Sequence, residues 1–171
     1  LIRSRGLGDV YKRQLYYFTI NHTPITDKTV LRDALNDWLD DGSNKYKYGY
    51  NITNWDVSSV TDMSGLIGST NYTTSFNENI SGWDVSNVTN MSQMFYNAAS
   101  FQQNLNSWDG SSVTNMHAMF DQAIQFNGNI GNWDVSSVTD MGAIFRAHPS
   151  TGVFNQDIGG WNVSNVTNTV S

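Results

Sequence analysis

The apolar residues of this chain follow a series about 25 residues long, and no single helical or strand period describes it. After Trp83 they fall at Val85, Val88, Met91, Met94, Phe95, Phe101, Leu105 and Trp108. Such a series fits a coil of straight pieces and corners, and neither one helix nor one strand. Within it, Trp-x-Val alternates as a strand does, and Met91-x-x-Met94-Phe95 has the i, i+3, i+4 spacing of one or two helical turns. The tryptophans recur at 55, 83, 108, 133 and 161, at intervals of 28, 25, 25 and 28 residues. From Phe76, Phe101, Phe126 and Phe154 to the next Trp is always seven residues, so the three extra residues fall near 68–75 and 146–153, where Gly, Ser, Thr, Asn and Pro gather.

A period of this size predicts a solenoid. Each unit alone would expose its apolar row, whereas stacked units bury it as one continuous core. The predicted fold is an α+β repeat solenoid, leucine-rich-repeat-like, with β-rich coils of about 25 residues, short helical turns and an N-terminal capping helix. Phe95, Phe101, Phe120, Phe126 and Phe145 are expected in its core, together with Met91, Met116 and Met141.

The flanks depart from the repeat. Val30, Leu31, Ala34, Leu35, Trp38 and Leu39 form one stripe at helical spacing, which predicts a helix over 27–40 with Thr26 or Asp27 as N-cap and Gly42 as stop signal. Its Trp38 side is expected to cover the open edge of the first coil. Leu15 to Ile20 reads as a short strand. Residues 1–14 hold four of the nine Lys and Arg residues and resemble a translated sequencing adapter, so a non-native leader is expected there. Residues 15–50 read as a capping segment and 51–171 as about five repeats. Thr169 stands where Met63, Met91, Met116 and Met141 stand, and the last repeat reads as truncated within a longer array.

Charged residues are only 14% of the chain and acids exceed bases by six. That balance offers no basic surface to nucleic acid. Cysteine is absent, which removes disulfides, thiolate metal sites and thiol nucleophiles. No apolar run approaches the roughly 20 residues of a membrane-spanning helix. Stacking turns each repeated polar position into a row. Asp56, Asp84, Asp109 and Asp134 make one, read as Asx turns in preference to calcium ligands or a glycosidase carboxylate pair. Ser58, Ser86, Ser111, Ser136 and Ser164 make a second, and Thr61, Thr89, Thr114, Thr139 and Thr167 a third. Asn90 and Asn115, with Asp62 and Asp140 at the equivalent place, read as an internal ladder that satisfies buried backbone. His22, His117 and His148 recur at no repeat position and carry no metal or catalytic assignment. No cofactor is expected.

The phrase Phe-Asn-x-x-Ile-x-x-Trp-Asp-Val-Ser-x-Val-Thr-x-Met-x-x-Met-Phe, at Phe76 to Phe95 and nearly repeated at Phe126 to Phe145, resembles the BspA-like leucine-rich repeat surface proteins. The resemblance covers about Asn51 to Val170. It departs at Gly110, which replaces the repeated Val, and at Asn162, which replaces Asp, so looser rungs are expected there. It implies an extracellular or cell-surface protein of adhesion type that binds a protein or glycan partner and is not an enzyme. The candidate binding surface is the exposed β face carrying Asp84, Ser86, Asp109, Ser111, Asp134 and Ser136. An ice-binding protein that uses the Ser and Thr rows, and a carbohydrate-active enzyme, are the competing readings.

Overall fold

A computed structural model describes residues 23–40, 47–146 and 153–170. The leader at 1–14, the strand at 15–20 and the stop signal Gly42 lie outside these residues. Helix α1 spans Lys28–Leu39. It starts there because Asp27, in extended conformation, accepts hydrogen bonds through Oδ1 from the amides of Thr29 at 2.8 Å and Val30 at 3.1 Å, which satisfies two of the unpaired N–H groups of the first turn. Leu31, Ala34 and Leu35 are fully buried. The Trp38 ring meets that of Trp55 edge-on, with centroids 5.7 Å apart and planes at 89°. Lys28 ties the first turn of α1 to the first coil, its Nζ donating to Asp62 Oδ2 at 2.6 Å and Ser64 Oγ at 2.8 Å.

The repeats stack in register. Asp62, Asn90, Asn115, Asp140 and Asn168 form successive parallel bridges, one per coil. Beside them the amides of Thr89, Thr114, Thr139 and Thr167 each donate to the carbonyl of the preceding coil's Thr at 2.8 to 2.9 Å. Aromatic side chains stack from coil to coil beneath these bonds: Phe76, Phe101, Phe126 and Phe154 form a column with centroids 5.8, 5.8 and 5.9 Å apart. The indole N–H groups run the same way, Trp83, Trp108, Trp133 and Trp161 donating to the carbonyls of Ile52, Ile80, Leu105 and Ile130.

The expected β-rich, leucine-rich-repeat-like solenoid is overturned. Among the described residues the only β pairing is single-residue bridges, with no sheet, and most of the backbone is turn or irregular. The predicted strand at Trp-x-Val joins no β bridge, and a turn begins at its third residue, closed by the Val60, Val88, Val113 and Val138 amides donating three residues back. The predicted helical turns at Met91-x-x-Met94-Phe95 are absent as well. That segment is a run of four-residue turns, in which Met94 N donates to Met91 O and Ala98 N to Phe95 O, with Gln93 at φ 56° and Asn97 at φ 59°. Positive φ at the third residue of a turn suits type II geometry and stops a right-handed helix. The alternate amides of Met91, Gln93, Phe95 and Asn97 donate outward to the next coil at 2.8 to 2.9 Å. Coil-to-coil bonding thus takes the donors that a helix would use internally, while the turns between them prevent a continuous strand.

The core is where the sequence placed it. Phe95, Phe101, Phe120 and Phe126 are buried, as are Met91, Met116 and Met141. Phe145 is only part-buried, stacked on Phe120 and Phe154 near the outer end of its column. Of the two insertion corners, the first contains the 3-10 turn Thr73–Ser75, and the buried hydroxyls of Thr70 and Thr73 both donate to Ile67 O. The second falls largely outside the described residues.

Candidate functional site

Every Asp of the candidate row forms the same turn. Oδ1 of Asp56, Asp84, Asp109 and Asp134 accepts the amide of the Ser two residues on, at 3.1, 3.1, 3.0 and 2.9 Å. The Ser58 and Ser86 hydroxyls add bonds to Asp56 and Asp84 at 2.6 and 2.7 Å. Hydrogen bonds from the Ser hydroxyl, then from the Ser amide, hold all four carboxyls below the ordinary carboxylate range. Asn162 makes the same turn in the fifth coil, its Oδ1 accepting the Ser164 amide at 3.2 Å. The amide oxygen replaces the carboxylate there, so what the turn requires is an acceptor and not a charge.

The candidate face is a correction in one respect. Asp84, Ser86, Asp109, Ser111, Asp134 and Ser136 lie on a column of turns and not on a β face. All three Asp are exposed and Ser111 with them, while Ser86 and Ser136 are half-buried. The second carboxylate oxygen of each Asp accepts no hydrogen bond from a described residue. The three carboxyls share one kind of environment, so nothing separates an acid from a nucleophile as a glycosidase pair requires. Among the described residues no group of three or more His, Asp or Glu side chains is placed to hold a metal ion.

Two more columns of turns complete each coil. At the bridge positions Oδ1 of Asp62, Asn90, Asn115, Asp140 and Asn168 accepts the amide two residues on. Burial raises the Asp62 and Asp140 carboxyls, but hydrogen bonds from Lys28 and Ser64 on the first, and from Gly142 and Asn168 on the second, outweigh it and both end low. His117 Nδ1 lies 3.4 Å from Asp140 Oδ1. Before each tryptophan Asn79, Asn104, Asn129 and Asp157 turn likewise onto Ser81, Asn106, Gly131 and Gly159. A shallow hollow of about 470 Å³ opens there, lined by Asn79, Ser81, Gln103, Asn104, Asn106 and Ser107.

Sequence reading missed two features. Asp121 is fully buried, and Arg146 of the next coil donates to it at 2.7 Å. The signal was present, since the equivalent position holds Tyr96 one coil earlier and Arg146 one coil later, and a lone carboxyl beside a lone guanidinium breaks the repeat. The indole hydrogen-bond column was also missed, although a Trp kept at every coil marks a position where a donor as well as a ring is used.

These features define a repeat-built protein whose coils are held by Asx turns, stacked rings and single-residue bridges. Its chain belongs to the family described as "Mycoplasma protein of unknown function, DUF285", which matches residues 42–123 and again 102–171. No curated protein and no solved structure matches it. Among the described residues no helix is long and apolar enough to cross a membrane.

Proposed function

We propose that this chain is a non-catalytic binding protein of the cell surface or extracellular space that meets a protein or glycan partner through Asp84, Ser86, Asp109, Ser111, Asp134 and Ser136. The observation that carries the reading is the exposed carboxylate column. Each of the first four coils fixes one carboxylate oxygen in a turn and leaves the other to solvent, so acceptors of one orientation recur along a scaffold preordered by its core. Such a column suits partners rich in hydroxyl, ammonium or guanidinium donors, and preordering lowers the entropy lost on binding. The likeness of the repeat phrase to BspA-like surface proteins supports the adhesion-type role and the extracellular setting.

The test is the combined variant Asp84→Asn, Asp109→Asn, Asp134→Asn, probed against a glycan array and immobilised extracellular-matrix proteins. Its turns persist because the amide oxygen still accepts, as at Asn162. The native chain should capture a partner that the variant, folded and melting near the native temperature, does not. Equal capture by both would remove this face from the reading, and no capture by the native chain would remove the reading itself.

One observation favours ice binding as a second reading. Thr61, Thr89, Thr114, Thr139 and Thr167 are all exposed, each one residue before a position that bridges to a neighbouring coil. Inhibition of ice recrystallisation by the purified chain is its measurement.

A further inference from the structure

The hollow of about 470 Å³ between the second and third coils is lined by neutral polar side chains, Asn79 and Ser81 from one coil and Gln103, Asn104, Asn106 and Ser107 from the next. Its asparagines already have their oxygens engaged. Asn79 Oδ1 accepts the Ser81 amide at 3.0 Å, Asn104 Oδ1 the Asn106 amide at 2.9 Å and Asn106 Oδ1 the Asn132 amide at 3.1 Å. A planar carboxamide held through its oxygen turns both N–H bonds away from that contact, and Nδ2 of Asn79, Asn104 and Asn106 donates to no described residue. Gln103 is held the opposite way. Its Nε2 donates to Asn77 O and Oδ1 at 3.0 and 2.9 Å, and its Oε1 accepts nothing from a described residue. Ser107 Oγ donates to Ser81 O at 2.7 Å and keeps its lone pairs. The hollow thus presents three fixed donor groups, one fixed acceptor and the Ser81 and Ser107 hydroxyls, with no charge. Its walls end at the fourth coil, where Gly128 and Gly131 take the places of Gln103 and Asn106.

We infer that this hollow binds a neutral sugar residue. A hydroxyl has one donor and two acceptor lone pairs, so a sugar hydroxyl takes an amide N–H and gives its own hydrogen to Gln103 Oε1. The excess of donors in the hollow matches the excess of lone pairs over O–H hydrogens on a sugar ring. An apolar ligand gains nothing here, because no aliphatic or aromatic residue is among those that line the site. An anion would meet donors but no cation, in a chain of net charge −6 with Glu78 next to Asn79. Each amide is oriented before the ligand arrives, so little side-chain entropy is lost on binding. The volume lies in the range of small-molecule sites. The hollow shares no residue with the Asp and Ser column, so the two readings stand or fall independently.

The experiment titrates the isotope-labelled full chain with the methyl glycosides of glucose, galactose and mannose, read by nuclear magnetic resonance at the side-chain NH2 signals of Asn79, Asn104 and Asn106. At least one glycoside should shift these signals saturably. Asn104→Asp is the discriminating variant. Asp157 makes the same turn in the fifth coil, its Oδ1 accepting the Gly159 amide at 2.8 Å, so the substitution keeps the turn acceptor and removes only the N–H donors. It should melt near the native temperature and bind about fivefold more weakly or worse, the worth of about one hydrogen bond. Ser81→Ala should weaken binding in the same direction, and its hydroxyl bonds to no described residue, so its fold stays native. The combined variant Asp84→Asn, Asp109→Asn, Asp134→Asn should bind the glycoside as the native chain does. No saturable shift with any of the three glycosides, or native affinity in both Asn104→Asp and Ser81→Ala, would overturn the inference. Tighter binding of glucuronate than of methyl glucoside would make the hollow an anion site instead, and loss of the glycoside in the combined variant would move the sugar to the Asp column.

Discussion

At the residue scale the repeat assigns each side chain one task, and the exceptions show what the task is. Trp83 and its successors each donate an indole N–H to the coil before, but the first in the column, Trp55, has a buried Nε1 with no partner among the described residues. A buried donor left unpaired costs about 1–3 kcal/mol, against a net gain near 1 kcal/mol for one that is paired. Trp55→Phe should therefore destabilise less than Trp83→Phe, by about 1 kcal/mol or more in denaturant titration, since both lose the same ring volume and only the second loses a bond. Equal losses would show that the indole bonds contribute nothing. The Asp column gives a second contrast. Asp84→Asn keeps the turn acceptor and should be nearly silent, whereas Asp84→Ala loses it, at a cost of up to roughly 1 kcal/mol for an exposed bond. Acid should act in the same direction. The folded state holds these carboxyls below their ordinary value of 3.8, so their contribution is complete above that value and is lost as pH falls through the lower folded one. Melting temperature should drop below about pH 4, and the drop should be shallower in the triple Asn variant. An identical acid profile in both would put the acid sensitivity elsewhere. The turn role of these Asp residues was readable because Asp before Val-Ser can fold onto its own backbone, and Asn162 already stood as a natural control.

At the element scale the sequence pattern and the backbone diverge. Helix α1 was readable to within a residue, because 12 residues give the apolar stripe several turns in which to declare a period. The Met-x-x-Met-Phe segment offers barely one turn, and i, i+3, i+4 spacing over that length also describes successive type II turns. What decided between them was bonding to a neighbouring coil, which no local window contains. The same competition makes the turns strained. Gly65, Gln93, Ala118 and Ala143 occupy one repeat position, with φ of 58, 56, 52 and 55°. A left-handed conformation costs an L-residue roughly 1–2 kcal/mol, and glycine escapes that at an entropic cost of about 0.5–1 kcal/mol. Gln93 is exposed, so Gln93→Gly loses little packing and should stabilise by about 0.5–1 kcal/mol. Gly65→Ala should do the reverse, its new Cβ also meeting Ser69 Oγ at 3.1 Å. A destabilising Gln93→Gly would mean that the side chain contributes more than the strain removes.

At the scale of the whole molecule the repeat was legible and its secondary structure was not. The 25-residue period gave the stacking, the Phe and Met core and the polar columns, because burial follows from periodic apolar positions whatever backbone connects them. It could not distinguish a sheet from single-residue bridges, since both place equivalent residues one above another. The stack that results has mainly nearest-neighbour interfaces, so its stability is expected to be close to a sum over coils and interfaces. Of the described coils an interior one must break two interfaces to open and the fifth only the one it shows, so in a chain of residues 1–171 local opening is easier toward the fifth coil. The first coil differs from the fifth, because α1 with Trp38 and Lys28 supplies it with a second interface. Native-state hydrogen exchange should show the Thr89 and Thr114 amides, both donors between coils, as the slowest, with Thr167 exchanging faster than either. Emptying the interior through Phe101→Ala should cost about 3–5 kcal/mol, the usual range for an aromatic core site, and should accelerate exchange at Thr89 and Thr114 more than at Thr167. Uniform acceleration at all three would mean that the array opens only as one cooperative unit, and the nearest-neighbour description would fail.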